Sequence, residues 1–437
     1  MITHVPNAHK LTHAFIRSIT LFAMLAAFCA TCWAASEKVL YRFNGTDGNG
    51  PANLIIGSDR ALYGTTVEGG TNSCLANGCG VVFRLVLGTD GKWHETVLHD
   101  FAGSDGWFPE GPLVADKAGN LYGTTVNGGT TCSQLGCGVV FQLRRASGGK
   151  WTYKVLHQFA ISDGANPYAG MIFDSRGNLY GTASSGGDTS CSPPEGCGVV
   201  FKLTDAKGKR TETVVYSFQG SDGAFPYAPL TLDAAGNFYG TTEWGGAYDA
   251  GTVFKLSPTK HAQWSEQVLH SFSSDTKDGG QPTYGVTFDS AGDIYGTTQF
   301  GGTVGQQGWG TAFRLAPIVG GKYTETVLHS FDRDKGIGGG FLSSGLILDA
   351  KGNLYGSAGA GGKYNNCGAA FKLTPQANRK WPETVLHSFG KENDGCDPIG
   401  GMVFGSTGRL LGSASLGGLT GGSCGQDGCG VVFEVTF

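Results

Sequence analysis

The fold is decided by a stretch that reads Leu121-Tyr122-Gly123-Thr124-Thr125 and continues through Gly128-Gly129 to Cys137-Gly138-Val139-Val140-Phe141. This pattern occurs seven times in a chain of 437 residues, at spacings of 56 to 60 residues. The aligned glycines are Gly64, Gly123, Gly181, Gly240, Gly296, Gly356 and Gly412. A fixed period of this length is typical of a repeat architecture, in which each copy forms one supersecondary unit.

One copy, residues 112–159, predicts four strands at 112–115, 121–126, 139–143 and 151–159. A turn that contains Gly119 separates the first two strands, and a glycine-rich hairpin turn at 148–150 separates the last two. Four short antiparallel strands in seven copies are the pattern of a β-propeller. A linear solenoid is the alternative, but it needs capping repeats at its ends, and none is visible in the sequence.

The phase of the repeat favours a closed ring. A fourth-strand motif, Val39–Phe43, precedes the first full copy of the repeat, whereas the seventh copy ends at its third strand, near Phe433. If the N-terminal strand completes the last blade, no blade edge is left unpaired. We therefore expect an all-β, seven-bladed propeller of four-stranded antiparallel blades, with blades at about 52–101, 112–159, 168–218, 227–272, 283–331, 342–389, and 399–437 with 38–43.

The first residues predict a secretory signal peptide at 1–34, followed by the propeller at 35–437. Basic residues precede an apolar run from Ile19 to Ala30, which is too short to span a membrane as a helix. We expect a secreted, periplasmic or cell-surface protein with no membrane span in the mature chain. The net charge of −4 and the absence of a basic cluster argue against nucleic acid as a partner, and we expect a monomer.

The predicted mature chain keeps ten cysteines, an even number in an oxidising compartment. Eight of them form local pairs in the loops after Gly-Gly, and the remaining two are paired by elimination. The predicted disulfides are Cys74–Cys79, Cys132–Cys137, Cys191–Cys197, Cys367–Cys396 and Cys424–Cys429. Thiolate metal binding is the rival interpretation. It needs four converging ligands, whereas these pairs lie on separate repeats.

Long loops on one face of the ring are the expected place for function. The connections between strands two and three, and from strand four to the next blade, are long and share a face, which we call the long-loop face. Positions that vary between copies are those that the fold does not dictate. Blades 4 and 5 carry aromatic and polar residues there and lack cysteines in their loops. The candidate binding residues are Glu243, Trp244, Tyr248, Gln299, Phe300 and Trp309. The alternative is that these rings only pack the loops that have no disulfide.

Two recurrent polar positions could supply metal ligands. Aspartates of Asp-Gly pairs recur at 47, 105, 163, 222, 278 and 394, and strand-four histidines recur at 99, 157, 270, 329 and 387. A carboxylate ring could hold calcium, but Asp-Gly is also a favoured turn pair. Because Tyr41 and Tyr216 replace histidine in two copies, a structural role between blades is favoured. We expect no metal and no cofactor, and the sequence identifies no catalytic residue.

The pattern Asp-x-x-Gly-Asn-Leu-Tyr-Gly-Thr-Thr…Gly-Gly…Gly-x-Val-Phe…Val-Leu-His-Ser-Phe resembles the GloVer tandem repeat. This repeat occurs in bacterial choice-of-anchor proteins of the cell surface and the exterior. The resemblance spans essentially the whole predicted mature chain. It implies a secreted or surface protein and names no biochemical role.

Two functions remain open from the sequence. The first is a non-enzymatic binding or scaffold module that engages a glycan or an extracellular protein through the long-loop face. The second is a secreted polysaccharide hydrolase or lyase with a site near the propeller pore. Polar residues that differ between blades, converge on the pore and have perturbed ionisation would favour the enzyme.

Overall fold

A ring of seven antiparallel blades is formed by the strands of the chain, each blade at one copy of the repeat. The structure is a computed structural model that describes residues 35–437 except 75–76, 133–134, 207–208, 261–262, 274, 276, 303–307, 333–338 and 407. The predicted signal peptide at 1–34 lies outside the described residues.

The strands are numbered in chain order, and blades 1 to 7 follow the repeat. N-terminal strand β1 is Ser36–Arg42, and blade 1 holds β2 Asn49–Ile56, β3 Leu62–Glu68, β4 Val81–Leu87 and β5 Trp93–Asp100. Blades 2 and 3 hold β6 Val114–Ala115, β7 Leu121–Thr125, β8 Val139–Arg145, β9 Trp151–Gln158, β10 Ile172–Phe173, β11 Leu179–Ala183, β12 Val199–Ala206 and β13 Lys209–Ser217. Blade 4 holds β14 Thr231–Leu232, β15 Phe238–Thr242, β16 Thr252–Pro258 and β17 Trp264–Ser271.

The remaining blades keep this order, with small additions. Blade 5 holds β19 Thr287–Phe288, β20 Ile294–Thr298, β22 Thr311–Pro317 and β23 Tyr323–Ser330, with a small ribbon of β18 Gly279–Gly280 and β21 Phe300–Gly301. Blade 6 holds β24 Gly339–Leu342, β25 Ile347–Leu348, β26 Leu354–Gly361, β27 Ala369–Leu373 and β28 Glu383–Ser388. Blade 7 holds β29 Val403–Phe404, β30 Arg409–Ala414 and β31 Val431–Thr436. Short 3-10 turns lie at Ser147–Gly149 and Gly422–Cys424.

The ring is closed by the N-terminal strand, as the phase of the repeat predicts. Strand β1 pairs antiparallel with β31, from Ser36 opposite Thr436 to Arg42 opposite Val431. It is therefore the fourth and outermost strand of blade 7. The inner strands are shorter than predicted, because β6, β10, β14, β19, β25 and β29 each pair over only two residues.

The conserved shape of each blade follows from the repeated motif. At Gly123, an added Cβ would lie 2.5 Å from the ring of Phe141 on the neighbouring strand, so glycine is required there. Gly119 has a φ of +79°, which the predicted turn requires. The turn aspartate, Asp116, accepts hydrogen bonds from the backbone and side chain of Asn120 and from the hydroxyl of Tyr122.

Phenylalanine pairs join every blade to the next. The phenylalanine that follows strand four of one blade meets the strand-three phenylalanine of the next blade, at centroid separations of 4.7 to 5.3 Å. The pairs are Phe43–Phe83, Phe101–Phe141, Phe159–Phe201, Phe218–Phe254, Phe272–Phe313, Phe331–Phe371 and Phe389–Phe433. All of these rings are fully buried, so the core is a closed circle of aromatic contacts between blades.

The first threonine of Tyr-Gly-Thr-Thr adds a hydrogen bond between blades. Thr124 donates to the carbonyl of Ala169 on the next inner segment at 2.8 Å, and Thr182 donates to that of Ala228 at 3.0 Å. The second threonine holds the loop of its own blade, since Thr125 donates to the carbonyl of Asn127. Both hydroxyls therefore have structural roles, which explains their repetition.

The five predicted disulfides are all present. They join Cys74 to Cys79, Cys132 to Cys137, Cys191 to Cys197, Cys367 to Cys396 and Cys424 to Cys429. Five disulfides indicate a protein of an oxidising compartment. Within the described part of the chain, no helix has the length and apolar character needed to cross a membrane.

Candidate functional site

A central cavity of about 690 Å³ lies where the inner segments of the seven blades converge. Its walls include Glu110, Tyr168 and Tyr227, each of which directly follows the connection from the preceding blade. Glu243 and Gln299 also line it, and each directly follows the second strand of its blade. Because both kinds of connection belong to the long-loop face, this part of the cavity lies at that face.

The cavity wall is chemically divided. Blades 2 to 5 supply its carboxyl and phenol groups and one amide, namely Glu110, Tyr168, Tyr227, Glu243, Tyr284 and Gln299. The amide of Asn53, on blade 1, also lines the cavity but is bonded to the backbone of Glu110 and Gly401. Blades 6, 7 and 1 supply aliphatic side chains, including Leu346, Ile347, Ile399, Met402, Val403, Leu54 and Ile55. No lysine, arginine or histidine is found among the described residues that line it. The pore therefore departs from sevenfold symmetry in both polarity and charge.

The carboxyl groups of the cavity are held in a poorly solvated setting. Burial raises the pKa of Glu110 above its usual value, and no hydrogen bond or ion pair joins this carboxyl group to a described residue. Burial also raises the pKa of Glu243, an effect that a hydrogen bond with the Trp244 side chain partly offsets. Among the described residues, no cation lies close enough to either carboxyl to favour its ionised form.

The tyrosines of the cavity form a corner. The rings of Tyr168 and Tyr227, on adjacent blades, have centroids 4.8 Å apart and planes at 63° to each other. Burial, followed by the charges of Glu243 and other groups, raises the pKa of Tyr227 to about 12. The pKa of Tyr284 is likewise raised by burial and by the charges of Glu110 and Asp397. These phenols thus stay neutral and can donate hydrogen bonds.

The candidate residues predicted from sequence are distributed over several places. Only Glu243 and Gln299 line the central cavity. Trp244 lies beside the Cys191–Cys197 disulfide in a separate pocket of about 460 Å³. Tyr248, which is 66% exposed, lines a third pocket of about 640 Å³ with His270 and Asp278 among others.

The last two candidates lie at blade 5. Phe300 belongs to strand β21 of the small ribbon. Trp309 packs against the hydrophobic cluster between blades 5 and 6, which agrees with the packing alternative for this ring. The six predicted residues therefore do not line one common pocket.

Sequence reasoning missed Glu110, Tyr168, Tyr227 and Tyr284. The first three occupy one column of the repeat, directly after Pro109, Pro167 and Pro226. The other copies carry Ala52, Thr283, Ser343 and Ile399 at or beside this position. The same comparison between copies that selected Glu243 would have found this column, since it varies from glutamate to isoleucine.

The strand-four histidines and the Asp-Gly aspartates form a second set of polar groups, at the boundaries between blades. In blade 2, Nε2 of His157 lies 3.3 Å from Oδ2 of Asp163, and the backbone N–H of Ala160 donates to the same aspartate at 2.8 Å. The carboxyl group of Glu212, on the next blade, completes the group. The turn and structural roles predicted for these residues agree with this geometry.

We call these groups the interblade clusters. Their described members are Tyr41–Asp47–Glu95, His99–Asp105–Tyr153, His157–Asp163–Glu212, Tyr216–Asp222–Glu266, His270–Asp278–Glu325, His329–Glu383 and His387–Asp394–Glu37. In six of them the glutamate Oε1 is buried and has no hydrogen-bond partner among the described residues. Asp334, the aspartate of the fifth copy, lies outside the described residues.

Two interblade clusters have the composition to bind a cation. In Glu37–His387–Asp394 and in His157–Asp163–Glu212, one ligand atom from each residue lies within 4.8 Å of the others. Burial raises the pKa of Glu37 and of Glu212 to about 7, although the nearby histidines lower it. Since Tyr41 and Tyr216 take the place of the histidine in two other interblade clusters, where their hydroxyls donate to Asp47 and Asp222, we treat these clusters as structural.

Comparison with known proteins identifies a repeat family and a fold. The model of the Gloeobacter/Verrucomicrobia repeat matches residues 26–233 and again residues 189–426. No curated protein matches the chain.

Among solved structures, a catalytically inactive virginiamycin B lyase from Staphylococcus aureus, determined with quinupristin, is 13% identical with a TM-score of 0.51. The alignment covers 92% of this chain and 99% of the lyase. A protein of unknown function from Dyadobacter fermentans is 14% identical over 92% of this chain and 100% of its own, with a TM-score of 0.46. A PQQ-bound aldose sugar dehydrogenase from Streptomyces coelicolor is 12% identical over 92% and 98%, with a TM-score of 0.41. At such identities the likeness concerns the fold alone.

Proposed function

Because this chain belongs to the Gloeobacter/Verrucomicrobia repeat family, and membership by itself assigns no activity, we propose a function from the central cavity. The protein is a binding module of the periplasm or the cell exterior that holds the end of a glycan, or a ligand of similar size, at the long-loop face. It binds this ligand without transforming it.

The observation that carries the proposal is the divided wall of the cavity. Its volume of about 690 Å³ lies within the range of small-molecule sites. Tyrosine rings, carboxyl groups and an amide on one side face an aliphatic surface on the other. A sugar unit has both kinds of surface, since its C–H faces stack on aromatic rings and its hydroxyl groups bond to carboxyl, phenol and amide groups.

The charges in the cavity favour binding over catalysis. Glycoside hydrolysis by paired carboxyls needs one group protonated and the other ionised. Burial shifts the pKa of Glu110 and of Glu243 in the same direction, so burial does not separate the two carboxyls into an acid and a base. An acidic polysaccharide would also lack a positive partner among the described lining residues.

A glycan-cleaving enzyme is the second candidate, and one observation favours it. Glu110 has a raised pKa and an unpaired carboxyl group that faces a cavity, as a general acid requires. The lyase among the structural neighbours shares the fold and gives this activity no further support.

The test is a glycan panel probed by isothermal titration calorimetry with residues 35–437. We expect a ligand whose affinity falls at least tenfold in Tyr227→Ala and changes less than twofold in Tyr248→Ala, the matched control outside the cavity. Binding that depends on Trp244 or Tyr248 but not on Tyr227 would move the site to the rim of the long-loop face. Cleaved products detected by mass spectrometry would establish the enzyme instead.

A further inference from the structure

The chemical class of the ligand follows from the aromatic corner of the cavity. Tyr168 and Tyr227 present two rings at 63° with centroids 4.8 Å apart. Both residues are partly exposed and line the cavity. No hydrogen bond from either hydroxyl to a described residue is present. Two aromatic walls at an angle are the geometry with which proteins surround an organic cation.

Two carboxyl groups act on this corner. The carboxyls of Glu110 and Glu243 line the same cavity as the two rings. Burial first, and then the charges of these carboxyls, raise the pKa of Tyr168 and of Tyr227. Glu110 is surrounded by protein on most sides, although part of its surface stays open. The cavity therefore places two carboxyl groups beside aromatic faces, and no described lysine, arginine or histidine lines it.

Metal ions and anions fit this site poorly. The described groups whose carboxyl and imidazole ligand atoms lie within 4.8 Å of one another are interblade clusters, and neither includes a cavity residue. Hard cations such as Ca²⁺ need six to eight converging oxygen atoms, whereas the corner offers ring faces. An anion would meet carboxyl groups without a compensating charge.

We infer that the central cavity selects a ligand that carries an organic ammonium group, seated in the Tyr168–Tyr227 corner between Glu110 and Glu243. The inference rests on the proposed function, because it names the class of ligand that the same cavity binds. A glycan end that carries a free amine combines this cation with the hydroxyl groups of a sugar, whereas its N-acetylated counterpart lacks the charge.

Binding of a cation should change the ionisation of the cavity. A positive charge beside Glu110 and Glu243 favours their ionised forms and lowers their pKa from the raised values that burial causes. Binding therefore releases protons, and affinity falls as the pH falls through the pKa of these carboxyls in the free protein. A neutral ligand would show neither effect.

The experiment compares matched probes by calorimetry at low salt. Glucosamine oligomers are set against N-acetylglucosamine oligomers, and choline is set against its neutral isostere 3,3-dimethylbutan-1-ol. We expect the cationic member of at least one pair to bind ten times more tightly or better. Titration in two buffers of different ionisation enthalpy should show proton release on binding.

Variants locate the site and separate the two proposals. Glu243→Gln and Tyr227→Ala should each weaken cation binding at least tenfold, with circular dichroism unchanged, whereas Tyr248→Ala should leave it within twofold. Equal affinity for charged and neutral members would overturn the ammonium inference and leave the glycan-binding proposal intact. If neither the probes nor the glycan panel shows binding in the cavity, both proposals are wrong.

Discussion

The interblade clusters and the central cavity share residue types, but these residues have different roles in the two regions. At the blade boundaries, histidine, aspartate and glutamate recur with one arrangement, and each aspartate is bound by its own turn. In the cavity, glutamate and tyrosine occur on some blades only, and their side chains line an open space. Polar residues that recur in every blade therefore hold the ring together, whereas polar residues that occur on some blades only are available to a ligand.

The largest effect that would test this comparison is the removal of a ring from the phenylalanine circle. Phe254 is fully buried and lies 5.0 Å from Phe218 of the preceding blade. We expect Phe254→Ala to lower the free energy of unfolding by about 3 to 5 kcal/mol, because it leaves a cavity between two blades. Guanidinium unfolding would measure this, with Tyr248→Ala as the exposed control that changes it by less than about 0.5 kcal/mol. If folded Phe254→Ala bound the ligand with changed affinity, the packing between blades and the central cavity would not be independent.

Most of the fold could be predicted from the sequence for the same reason. Tyr122, Gly123, Thr124 and Phe141 each have a definite role that is repeated around the ring, so the period alone reveals seven equivalent blades. The disulfides were predictable because most pairs are local and only Cys367 and Cys396 remained.

The candidate site was only partly predictable. Glu110, Tyr168 and Tyr227 are separated by 58 to 59 residues in sequence and come together only because neighbouring blades pack side by side. Glu243 and Trp244 are adjacent in sequence, yet they line different pockets. A pattern along the chain identified variable positions but not the direction of their side chains.

The next largest effect is expected from the disulfides, which close loops of different length. The Cys367–Cys396 bridge spans 29 residues, whereas Cys74–Cys79 spans 5. From the loop entropy of the unfolded chain, we expect replacement of the first pair by alanines to cost about 3 to 4 kcal/mol, and replacement of the second about 2 kcal/mol. Thermal and denaturant unfolding of the two double variants would measure the difference. Equal losses would show that loop length does not determine the contribution of these bridges.

The interblade glutamates should make stability depend on pH. Burial, together with the charge of Asp47, raises the pKa of Glu95 from 4.5 to about 8. A carboxyl with a raised pKa binds its proton more tightly in the folded state. Its stabilising contribution is therefore complete below about pH 4.5 and is lost as the pH rises through about 8. Glu95 is a clear case because its partner is Tyr41, which brings no imidazolium charge.

We expect Glu95→Gln to reduce the fall in Tm between pH 5 and pH 8 by roughly 1 to 3 °C, a modest effect because the group is only partly buried. Differential scanning calorimetry of the wild type and the variant across this range would measure it. Glu392→Gln, whose side chain is 81% exposed, is the matched control and should follow the wild type. A Glu95→Gln curve parallel to that of the wild type would show that this carboxyl group does not titrate in the window.

The smallest expected effect concerns the boundary between blades 1 and 2. There Asn53, and not the first threonine of the motif, donates the hydrogen bond between blades. Thr182 donates to Ala228 of the next blade, but the equivalent hydroxyl of Thr65 is buried and has no hydrogen-bond partner among the described residues. At that boundary, Asn53 donates from its side chain to the carbonyl of Glu110 at 3.0 Å. We expect Thr182→Val to cost about 1 kcal/mol, because it leaves the Ala228 carbonyl unpaired, and Thr65→Val to be neutral or slightly stabilising.

Chemical denaturation of the two isosteric variants would measure this difference at constant side-chain volume. Because Asn53 also accepts a hydrogen bond from the backbone of Gly401, it links blades 7, 1 and 2 beside the cavity. Asn53→Ala should therefore cost more than Thr65→Val. Equal costs for the two threonine variants would mean that the repeated hydroxyl adds nothing to the joining of blades. The threonines of the motif would then be explained by their strand propensity and by the hydrogen bond from the second threonine to its own loop.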